Sequence, residues 1–240
     1  GRNNQISMPA FVFLHCMNHG YQYIDIHTHD TATARPDVLR IQSIMAGNPT
    51  PANSASRFSL GIHPWQLDGN NHQTLWMELL QQMDAPQLCA IGETGLDRSI
   101  QTPMQLQMDV FEQHIQLAEN RKLPLIIHAV RCMAELLQLR KKHPSGIWIV
   151  HGFTGNATQA RQCMKLHIHL SFGKALLTAS SKLREALMAT APGQLFFETD
   201  SAEVAIAEIY QAAANILQIE ELLLCRQIET NFQHCFNIVQ

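Results

Sequence analysis

The chain is poor in charged residues and in long apolar runs. Only 15% of its 240 residues are charged, against a usual share of about 25%, and the net charge is −3 with the histidines neutral. A broad basic surface is therefore lacking, so a nucleic-acid substrate would have to be attracted locally or through metal ions. No apolar stretch approaches the roughly 18 residues of a membrane span, and we expect no contact with a membrane.

The cysteines show no metal-binding pattern. No Cys-x-x-Cys pair occurs, and several cysteines lie in apolar runs. We interpret them as reduced and mostly buried, which is typical of a cytoplasmic protein. The six are Cys16, Cys89, Cys132, Cys163, Cys225 and Cys235.

The first residues differ from the rest of the chain. Residues 1–21 contain one short apolar stretch, Ala10 to Met17, without a clear cleavage site for a signal peptidase. We expect residues 1–21 to be an N-terminal extension of unknown role. Residues 22–240 contain no linker, repeat or low-complexity block, which predicts a single domain.

Apolar runs that suit β-strands alternate with segments of helical periodicity. Several of the runs are almost continuously apolar, as in parallel strands that helices cover. Eight strands are predicted, at Tyr23–His29, Val38–Ile44, Phe58–His63, Leu88–Glu93, Leu123–His128, Ile147–His151, His167–Phe172 and Leu195–Asp200. Helices are predicted at Asn71–Met83, Pro103–Asn120, Cys132–Lys142, Ala157–Leu166, Ser180–Ala189, Glu203–Leu217 and within Glu220–Val239. This alternation predicts an α/β fold, closed as a TIM-type (β/α)8 barrel.

The first two βα units have little room for helices. Only Asp30 to Asp37 separates the first two strands, whereas a parallel crossover normally needs about a dozen residues or more. The next connection, Met45–Arg57, contains one glycine and two prolines and is predicted to be a loop. We therefore expect reduced helical cover on this side of the barrel.

Histidine is the residue in clear excess, with 13 in the chain. His27 and His29 end the first predicted strand, and because side chains alternate between the faces of a strand, they project from one face about 6–7 Å apart. Two imidazoles so placed can bind one metal ion. Most other histidines are expected to be surface or satisfied core residues, among them His72, His114, His143 and His234.

Ligand-type side chains also end five other predicted strands. The carboxyl ends of the strands form the active site of such a barrel, so these side chains should converge there. The full set is His27, His29, His63, Glu93, His128, His151 and Asp200. Imidazole nitrogens and carboxylate oxygens suit zinc, manganese, iron or nickel better than calcium. The set exceeds the roughly three or four protein ligands of one zinc ion, which favours two ions bridged by a carboxylate.

Six stretches of the chain together resemble the TatD-type metal-dependent deoxyribonucleases of the amidohydrolase superfamily. They are Asp25-Ile-His-Thr-His29, Gly61-Ile-His-Pro-Trp65, Ile91-Gly-Glu-Thr-Gly-Leu-Asp97, Leu123-Pro-Leu-Ile-Ile-His128, His151-Gly-Phe-Thr-Gly155 and Glu198-Thr-Asp-Ser201. They occur in the order of the family and cover roughly residues 23–201. The resemblance implies a TIM barrel that hydrolyses phosphodiester bonds of DNA, as a nuclease or exonuclease, with two divalent ions such as Zn, Mn or Mg.

The resemblance also implies which residues hold the two ions. The first ion would be held by His27, His29, Glu93 and Asp200, and the second by Glu93, His128 and His151. Glu93 and Asp200 are then the candidate catalytic residues. Glu93 would bridge the ions, and Asp200 would orient the attacking water or take its proton.

Three further residues are predicted to contact the phosphate of the substrate. His63 precedes the rigid Pro64 and lies outside the ligand set that the resemblance implies. Arg98 and Arg131 follow candidate ligands by a few residues and could pair bidentately with a phosphate. A surface salt bridge would explain either arginine equally well.

Two carboxylates lie two residues before a candidate ligand. Asp25 precedes His27, and Glu198 precedes Asp200, by this spacing. Both should therefore point into the barrel, one layer below the ions. We expect them to be hydrogen-bonded, since an unpaired buried charge is costly.

The chain departs from the family pattern at the rim of the barrel. In the family, a proline-containing loop usually follows the last aspartate, whereas Asp200-Ser-Ala-Glu-Val204 runs directly toward a helix. With the thin first two units, this predicts an open, shallow site. A small phosphoester or a strand end fits such a site as well as long DNA does.

Two other functions stay open. An amidohydrolase acting on a small amide, lactone or phosphoester is disfavoured because many such enzymes bridge their metals with a modified lysine on strand four. No lysine occurs between Gln81 and Asn120. A non-catalytic, metal-stabilised scaffold fits the short rim, but fits the complete ligand set less well. No obligate protein partner is evident.

Overall fold

Eight parallel strands form one nearly closed barrel. The computed structural model describes residues 21–31, 35–51 and 56–236. Within them the strands follow one another in sequence order, each parallel to the next. A parallel bridge between Thr28 and Asp200 joins the first strand to the segment after the last. The predicted TIM-type barrel is thus confirmed.

The elements alternate along the chain as expected for this fold. The strands are β1 (Tyr23–Thr28), β2 (Val38–Met45), β3 (Arg57–Gly61), β4 (Leu88–Asp97), β5 (Leu125–Val130), β6 (Trp148–Val150), β7 (Ile168–Phe172) and β8 (Leu195–Phe197). The helices are α1 (His72–Gln81), α2 (Met104–Arg121), α3 (Met133–Lys142), α4 (Ala157–Lys165), α5 (Ser181–Met188), α6 (Ile206–Leu217) and α7 (Glu221–Phe236). Short 3-10 helices lie at Pro64–Gln66, Lys174–Thr178 and Pro192–Gln194.

The core lies inside the barrel and between the strands and their helices. In β5, the consecutive residues Leu125, Ile126 and Ile127 are all buried. Both faces of the strand are therefore covered, which explains why its sequence is a continuous apolar run rather than an alternating one. In the described part of the chain, no helix is long and apolar enough to cross a membrane.

The first two connections are thin, as predicted. In the described residues between β1 and β2, and between β2 and β3, no helix is present. The last two helices pack against β1 instead. Tyr210 of α6 donates its hydroxyl to the backbone oxygen of Ile24 at 2.9 Å, and Tyr23 donates its hydroxyl to Glu221 of α7 at 2.6 Å. The C-terminal helices thus cover β1, which no helix follows in the described residues before β2.

The predicted end of β4 is wrong. Glu93 lies in the middle of the strand, which continues to Asp97. Positive φ angles at Gly92 and Gly95 and a shift of register between Ile91 and Thr94 make this part irregular. A side chain at either glycine would collide with a backbone oxygen of β5, so only glycine lets β4 run on beside its neighbour.

Other boundaries differ by a few residues. β8 ends at Phe197 rather than Asp200, and α6 begins at Ile206 rather than Glu203, because residues 198–205 form the irregular seam of the barrel. The predicted N-terminal extension, except Tyr21, and the predicted end of the last helix beyond Phe236 fall outside the described residues. The division into an extension and one domain stays a prediction.

Candidate metal centre

His27 and His29 meet at the carboxyl end of β1. Their ring centroids are 5.1 Å apart, and the rings are nearly perpendicular. Both Nε2 atoms approach the same oxygen of Glu93, Oε2, at 3.3 Å from His27 and 3.2 Å from His29. The two imidazoles therefore project toward one point, as their spacing on the strand requires.

Glu93 stands between two groups of imidazoles. Its Oε2 atom faces the pair on β1. The other oxygen, Oε1, is approached by His63 Nε2 at 3.0 Å, His128 Nδ1 at 2.9 Å and His151 Nε2 at 2.7 Å. One buried carboxylate thus has histidine nitrogens around each of its oxygens.

Asp200 completes the cluster on the side of β1. Its Oδ1 atom lies 3.8 Å from His27 Nε2 and 3.6 Å from His29 Nε2. Two backbone hydrogen bonds of 2.9 Å fix its position, since Asp200 N donates to His27 O and His29 N donates to Asp200 O. The Asp200 side chain is 43% exposed, whereas Glu93 is buried. Asp200 is thus the carboxylate of this cluster that solvent reaches.

All six predicted ligands lie in one cluster, and His63 lies there with them. The described residues contain three overlapping groups whose ligand atoms lie within 4.8 Å of one another. The groups are His27, Glu93 and His151; His27, His29 and Asp200; and His63, Glu93 and His128. The positions that the sequence proposed at separate strand ends are therefore neighbours in space.

The unsatisfied nitrogen atoms of the cluster fit a metal ion. The buried Nε2 atoms of His27 and His151 make no hydrogen bond of acceptable geometry, although each lies within 3.3 Å of an oxygen of Glu93. Buried polar atoms in this state are rare in proteins. Converging imidazole and carboxylate groups are the ligands of zinc and manganese. The donor set is thus suited to divalent ions.

The charges of the cluster also favour a cation. Burial opposes ionisation of Glu93, but the facing imidazoles of His151, His27 and His128 hold its pKa well below the usual range. Burial likewise opposes a charge on His151, yet Glu93 and Glu198 raise the pKa of that imidazole well above its usual value. The same negative charge suits a metal cation, which would take the place of the proton on His151 Nε2.

Asp97 fixes the orientation of the His128 ring from the side opposite Glu93. Its Oδ2 atom accepts a hydrogen bond from His128 Nε2 at 3.0 Å and another from Trp65 Nε1 at 2.8 Å, while Oδ1 accepts from the backbone N of Ser99 at 2.8 Å. Burial disfavours its charge, but the hydrogen bonds from Ser99, Trp65 and His128 hold the pKa of Asp97 below its usual range. With its proton on Nε2, His128 presents the lone pair of Nδ1 to the cluster.

Sequence reasoning missed the role of Asp97, although a signal was present. Asp97 ends the stretch Ile91-Gly-Glu-Thr-Gly-Leu-Asp97 and lies four residues after Glu93. Residues separated by four positions share one face of a strand. The signal was hidden because β4 was predicted to stop at Glu93.

Glu198 does for His151 what Asp97 does for His128. Its Oε1 atom lies 3.3 Å from His151 Nδ1 and accepts a hydrogen bond from Gly152 N at 2.5 Å. A proton on Nδ1 leaves the Nε2 lone pair of His151 free to face Glu93.

Asp25 is buried and hydrogen-bonded too, but its partner is Thr199, which donates from its backbone N at 3.0 Å and its hydroxyl at 2.6 Å. Burial raises the pKa of Asp25 to about 7, although the Thr199 bonds oppose this.

His63 differs from the other histidines in its protonation pattern. Its Nδ1 atom accepts a hydrogen bond from the backbone N of Trp65 at 3.1 Å. A neutral His63 therefore has its proton on Nε2, the atom that lies 3.0 Å from Glu93 Oε1. Burial lowers the pKa of His63, although Glu93 opposes this, so the neutral form is favoured. His63 thus offers the site a hydrogen-bond donor, where His128 and His151 offer lone pairs.

The two predicted arginines lie on the surface. Arg98 pairs with the carboxylate of Glu135 and donates from Nε to the backbone oxygen of Arg131 at 3.2 Å. Arg131 is exposed and has a left-handed backbone with φ of 53°. The contacts described for Arg98 are thus those of a surface salt bridge, and a phosphate would have to compete with Glu135 for its guanidinium.

Comparison with known proteins agrees with this fold. The family described as TatD related DNase matches residues 51–237. The chain is 32% identical to an uncharacterized metal-dependent hydrolase, YabD, of Bacillus subtilis over 147 residues, which are 59% of this chain and 57% of that protein. It is 28% identical to the 3′-5′ ssDNA/RNA exonuclease TatD of Klebsiella pneumoniae over 193 residues, 72% of each chain.

A solved structure resembles the whole barrel. The fold superposes with a TM-score of 0.79 on YjjV, a TatD homolog of Escherichia coli, over 91% of this chain and 99% of that one, at 20% identity. At this identity the likeness concerns the fold alone. The match to the family, by contrast, extends over residues 51–237 and includes most of the cluster. The chain belongs to the TatD-related family of metal-dependent hydrolases.

Proposed function

We propose that the chain is a two-metal hydrolase of phosphodiester bonds, acting on DNA as a TatD-like deoxyribonuclease or exonuclease. The observation that carries the proposal is the position of Glu93, with two imidazoles around one oxygen and three around the other. A carboxylate placed in this way suits a bridge between two ions. The name of the Klebsiella relative, an exonuclease of ssDNA and RNA, supports a nucleic-acid substrate.

The protonation pattern supports a particular set of ligands. In our proposal, one ion would be held by His27, His29, Glu93 and Asp200, and the other by Glu93, His128 and His151. His128 and His151 suit this role because their outer nitrogens face Asp97 and Glu198 and their inner nitrogens carry lone pairs. The number of nitrogen ligands favours zinc or manganese over magnesium.

His63 is proposed to bind the phosphate rather than an ion. Its Nε2 proton points into the cluster because Nδ1 already accepts a hydrogen bond from Trp65. A donor fixed in this way can bind a phosphate oxygen and stabilise the negative charge that grows there in the transition state. We propose a weaker contribution from Arg98 and Arg131, which would bind the phosphate on the outer side of the site.

The remaining chemistry is divided between the ions and Asp200. Divalent ions in such a centre lower the pKa of water and neutralise charge on phosphate oxygens. Asp200 is exposed on the open side of the cluster, within 3.8 Å of His27 Nε2. From there its carboxylate can orient a water molecule toward the phosphorus and accept its proton. Glu93 keeps its charge because the surrounding imidazoles stabilise it.

The short rim favours strand ends or small phosphoesters as substrates. Only residues 201–205 separate Asp200 from α6, and no helix lies between β1 and β2 in the described residues. Such a mouth offers little surface along which a long duplex could be held. A cytoplasmic location and the absence of an obligate partner stay predictions.

The proposal is tested on protein stripped of metal and reloaded with zinc, manganese or magnesium. Substrates are single-stranded DNA, duplex DNA and bis(p-nitrophenyl) phosphate. We expect metal-dependent cleavage that disappears in Glu93→Gln and persists in Glu185→Gln, which alters an exposed glutamate on α5. Cleavage that survives in Glu93→Gln would refute the site. Metal binding without cleavage of any substrate would refute the activity and favour the scaffold alternative.

A further inference from the structure

Trp65 is unusually exposed for a large aromatic side chain. Its exposed fraction is 66%, the largest among the exposed large hydrophobic residues of the described chain. Trp148 is buried, and Trp76 is half-buried and packs against His114 with ring centroids 5.1 Å apart. The indole of Trp65 therefore contributes little to the core, although burial of such a ring would be strongly favourable.

The exposed indole is nevertheless held in a fixed position. Trp65 lies in the 3-10 helix Pro64–Gln66, and its backbone N donates to His63 Nδ1 at 3.1 Å. Its side-chain Nε1 donates to Asp97 Oδ2 at 2.8 Å. The same Asp97 oxygen accepts from His128 Nε2 at 3.0 Å. Both the backbone and the ring are thus tied to residues of the metal centre.

The indole lies directly beside the candidate metal centre. Its centroid is 4.9 Å from that of His63 and 5.9 Å from that of His128, and it meets both rings edge to face. The other nitrogens of these two histidines approach Glu93 within 3.0 Å. The solvent-exposed indole is therefore separated from the proposed phosphate site only by the rings of His63 and His128.

We propose that Trp65 is a binding subsite for an unpaired nucleobase, which stacks on the indole while the adjoining phosphate lies over the metal centre. This inference rests on the proposed function and specifies its substrate as single-stranded nucleic acid or a frayed end. Stacking on aromatic rings is favourable for every base, and is available only to bases that are not stacked within a duplex. A ring fixed in advance loses little entropy on binding.

The subsite also compensates for the scarcity of positive charge. The chain has 17 lysines and arginines against 20 aspartates and glutamates, and Arg98 beside the site is paired with Glu135. Charge attraction to the phosphate backbone is therefore weak. Stacking supplies affinity that does not depend on charge, so binding should fall less steeply with salt than in proteins that rely on many phosphate contacts.

The test compares two ligands of equal length. One is an oligothymidylate with phosphorothioate linkages, which slow cleavage, and the other is the same backbone without bases. Isothermal titration calorimetry measures affinity for the metal-loaded protein in every variant, because Trp65→Ala and Trp65→Phe lack the fluorophore in question. In the wild type, tryptophan fluorescence also reports contact between a base and the indole. We expect quenching by the oligothymidylate only, and about tenfold weaker binding of it in Trp65→Ala. Trp65→Phe should lose less affinity, and Met77→Ala, which truncates an exposed side chain on α1, should lose none. Binding of the base-free ligand should be unchanged in every variant.

Steady-state kinetics give a second reading. On unmodified single-stranded DNA, Trp65→Ala should raise KM about tenfold with little change in kcat, because stacking holds substrate and transition state alike. If Trp65→Ala lowered the affinity for the oligothymidylate and for the base-free ligand equally, or for neither, the subsite would be overturned and the nuclease function left intact. Base-dependent quenching without any cleavage by the loaded protein would overturn the nuclease function and leave the subsite intact.

Discussion

Two regions of the barrel mouth differ in burial: the floor, which is the candidate metal centre, and the rim, which comprises Trp65, Arg98 and the loops around them. On the floor, Glu93 is buried, and five imidazole nitrogens lie within 3.3 Å of its oxygens. On the rim, Trp65 is 66% exposed and Arg98 pairs with Glu135 at the surface. Strands and the residues that directly follow them position the floor, whereas a 3-10 helix and loops position the rim. The floor thus determines the chemistry, and the rim determines which substrate reaches it.

Glu93→Gln is the change that should disrupt the floor most. Glutamine keeps the shape of the side chain but removes the charge that both groups of histidines face. Loss of one partner from a buried ionic cluster lowers the free energy of unfolding by about 3–5 kcal/mol. We expect cleavage to fall about a thousandfold or more. Metal content, measured by elemental analysis, should fall with it. Normal metal content in this variant would contradict the central place of Glu93.

Removal of metal should destabilise the floor without altering the rim. A ligand at about 100 times its Kd stabilises the folded state by about 2.7 kcal/mol. In a domain of this size, that amounts to a rise in Tm of about 5–10 °C, which differential scanning fluorimetry can follow. Glu93→Gln should show no such rise, and Glu185→Gln should show it in full. Equal Tm values for stripped and reloaded wild-type protein would contradict the account.

Asp97→Asn should affect both regions, because one oxygen of Asp97 holds both His128 and Trp65. Asparagine cannot accept as many hydrogen bonds there, so the ring of His128 loses its fixed orientation. Changes of this kind cost about 10–100-fold in metal affinity or activity. Metal titration and the base-dependent quenching of Trp65 should both weaken. The exposed Asp84→Asn serves as control, and a loss confined to one of the two readings would show that Asp97 does not couple the regions.

His114 should give the smallest effect, on the pH dependence of stability. It lies under the rim, where its Nε2 accepts a hydrogen bond from Ile62 N, and burial lowers its pKa to about 4. The unfolded chain, with a pKa of about 6.5, takes up the proton first as the pH falls. Stability from this group is therefore complete above pH 6.5 and is lost progressively toward pH 4.

Denaturant unfolding at pH 7 and pH 5.5 measures the size of this effect. Between these pH values, the free energy of unfolding should fall by about 1 kcal/mol more in wild-type protein than in His114→Gln, because glutamine at position 114 does not titrate. His234→Gln, which alters an exposed histidine on α7, should behave like wild type. The same loss in all three proteins would show that protonation of His114 is not opposed by the fold.

The floor could be predicted from the sequence because a strand carries a simple geometric rule. His27 and His29 share a face by alternation, and parallel strands bring their carboxyl ends to one edge. The rule does not extend to the rim. The irregular continuation of β4 to Asp97 depends on the close approach of Gly92 and Gly95 to β5, and the position of Trp65 depends on contacts between distant segments. The spacing from Glu93 points to Asp97 but not to its partners, so the tie between Asp97, Trp65 and His128 is seen only in the structure.

Anomalous diffraction from crystals of the protein soaked with zinc or manganese tests the central claim most directly. The account predicts two peaks, one beside each oxygen of Glu93, with His27, His29 and Asp200 around the first and His128 and His151 around the second. A single peak, or peaks away from Glu93, would contradict it.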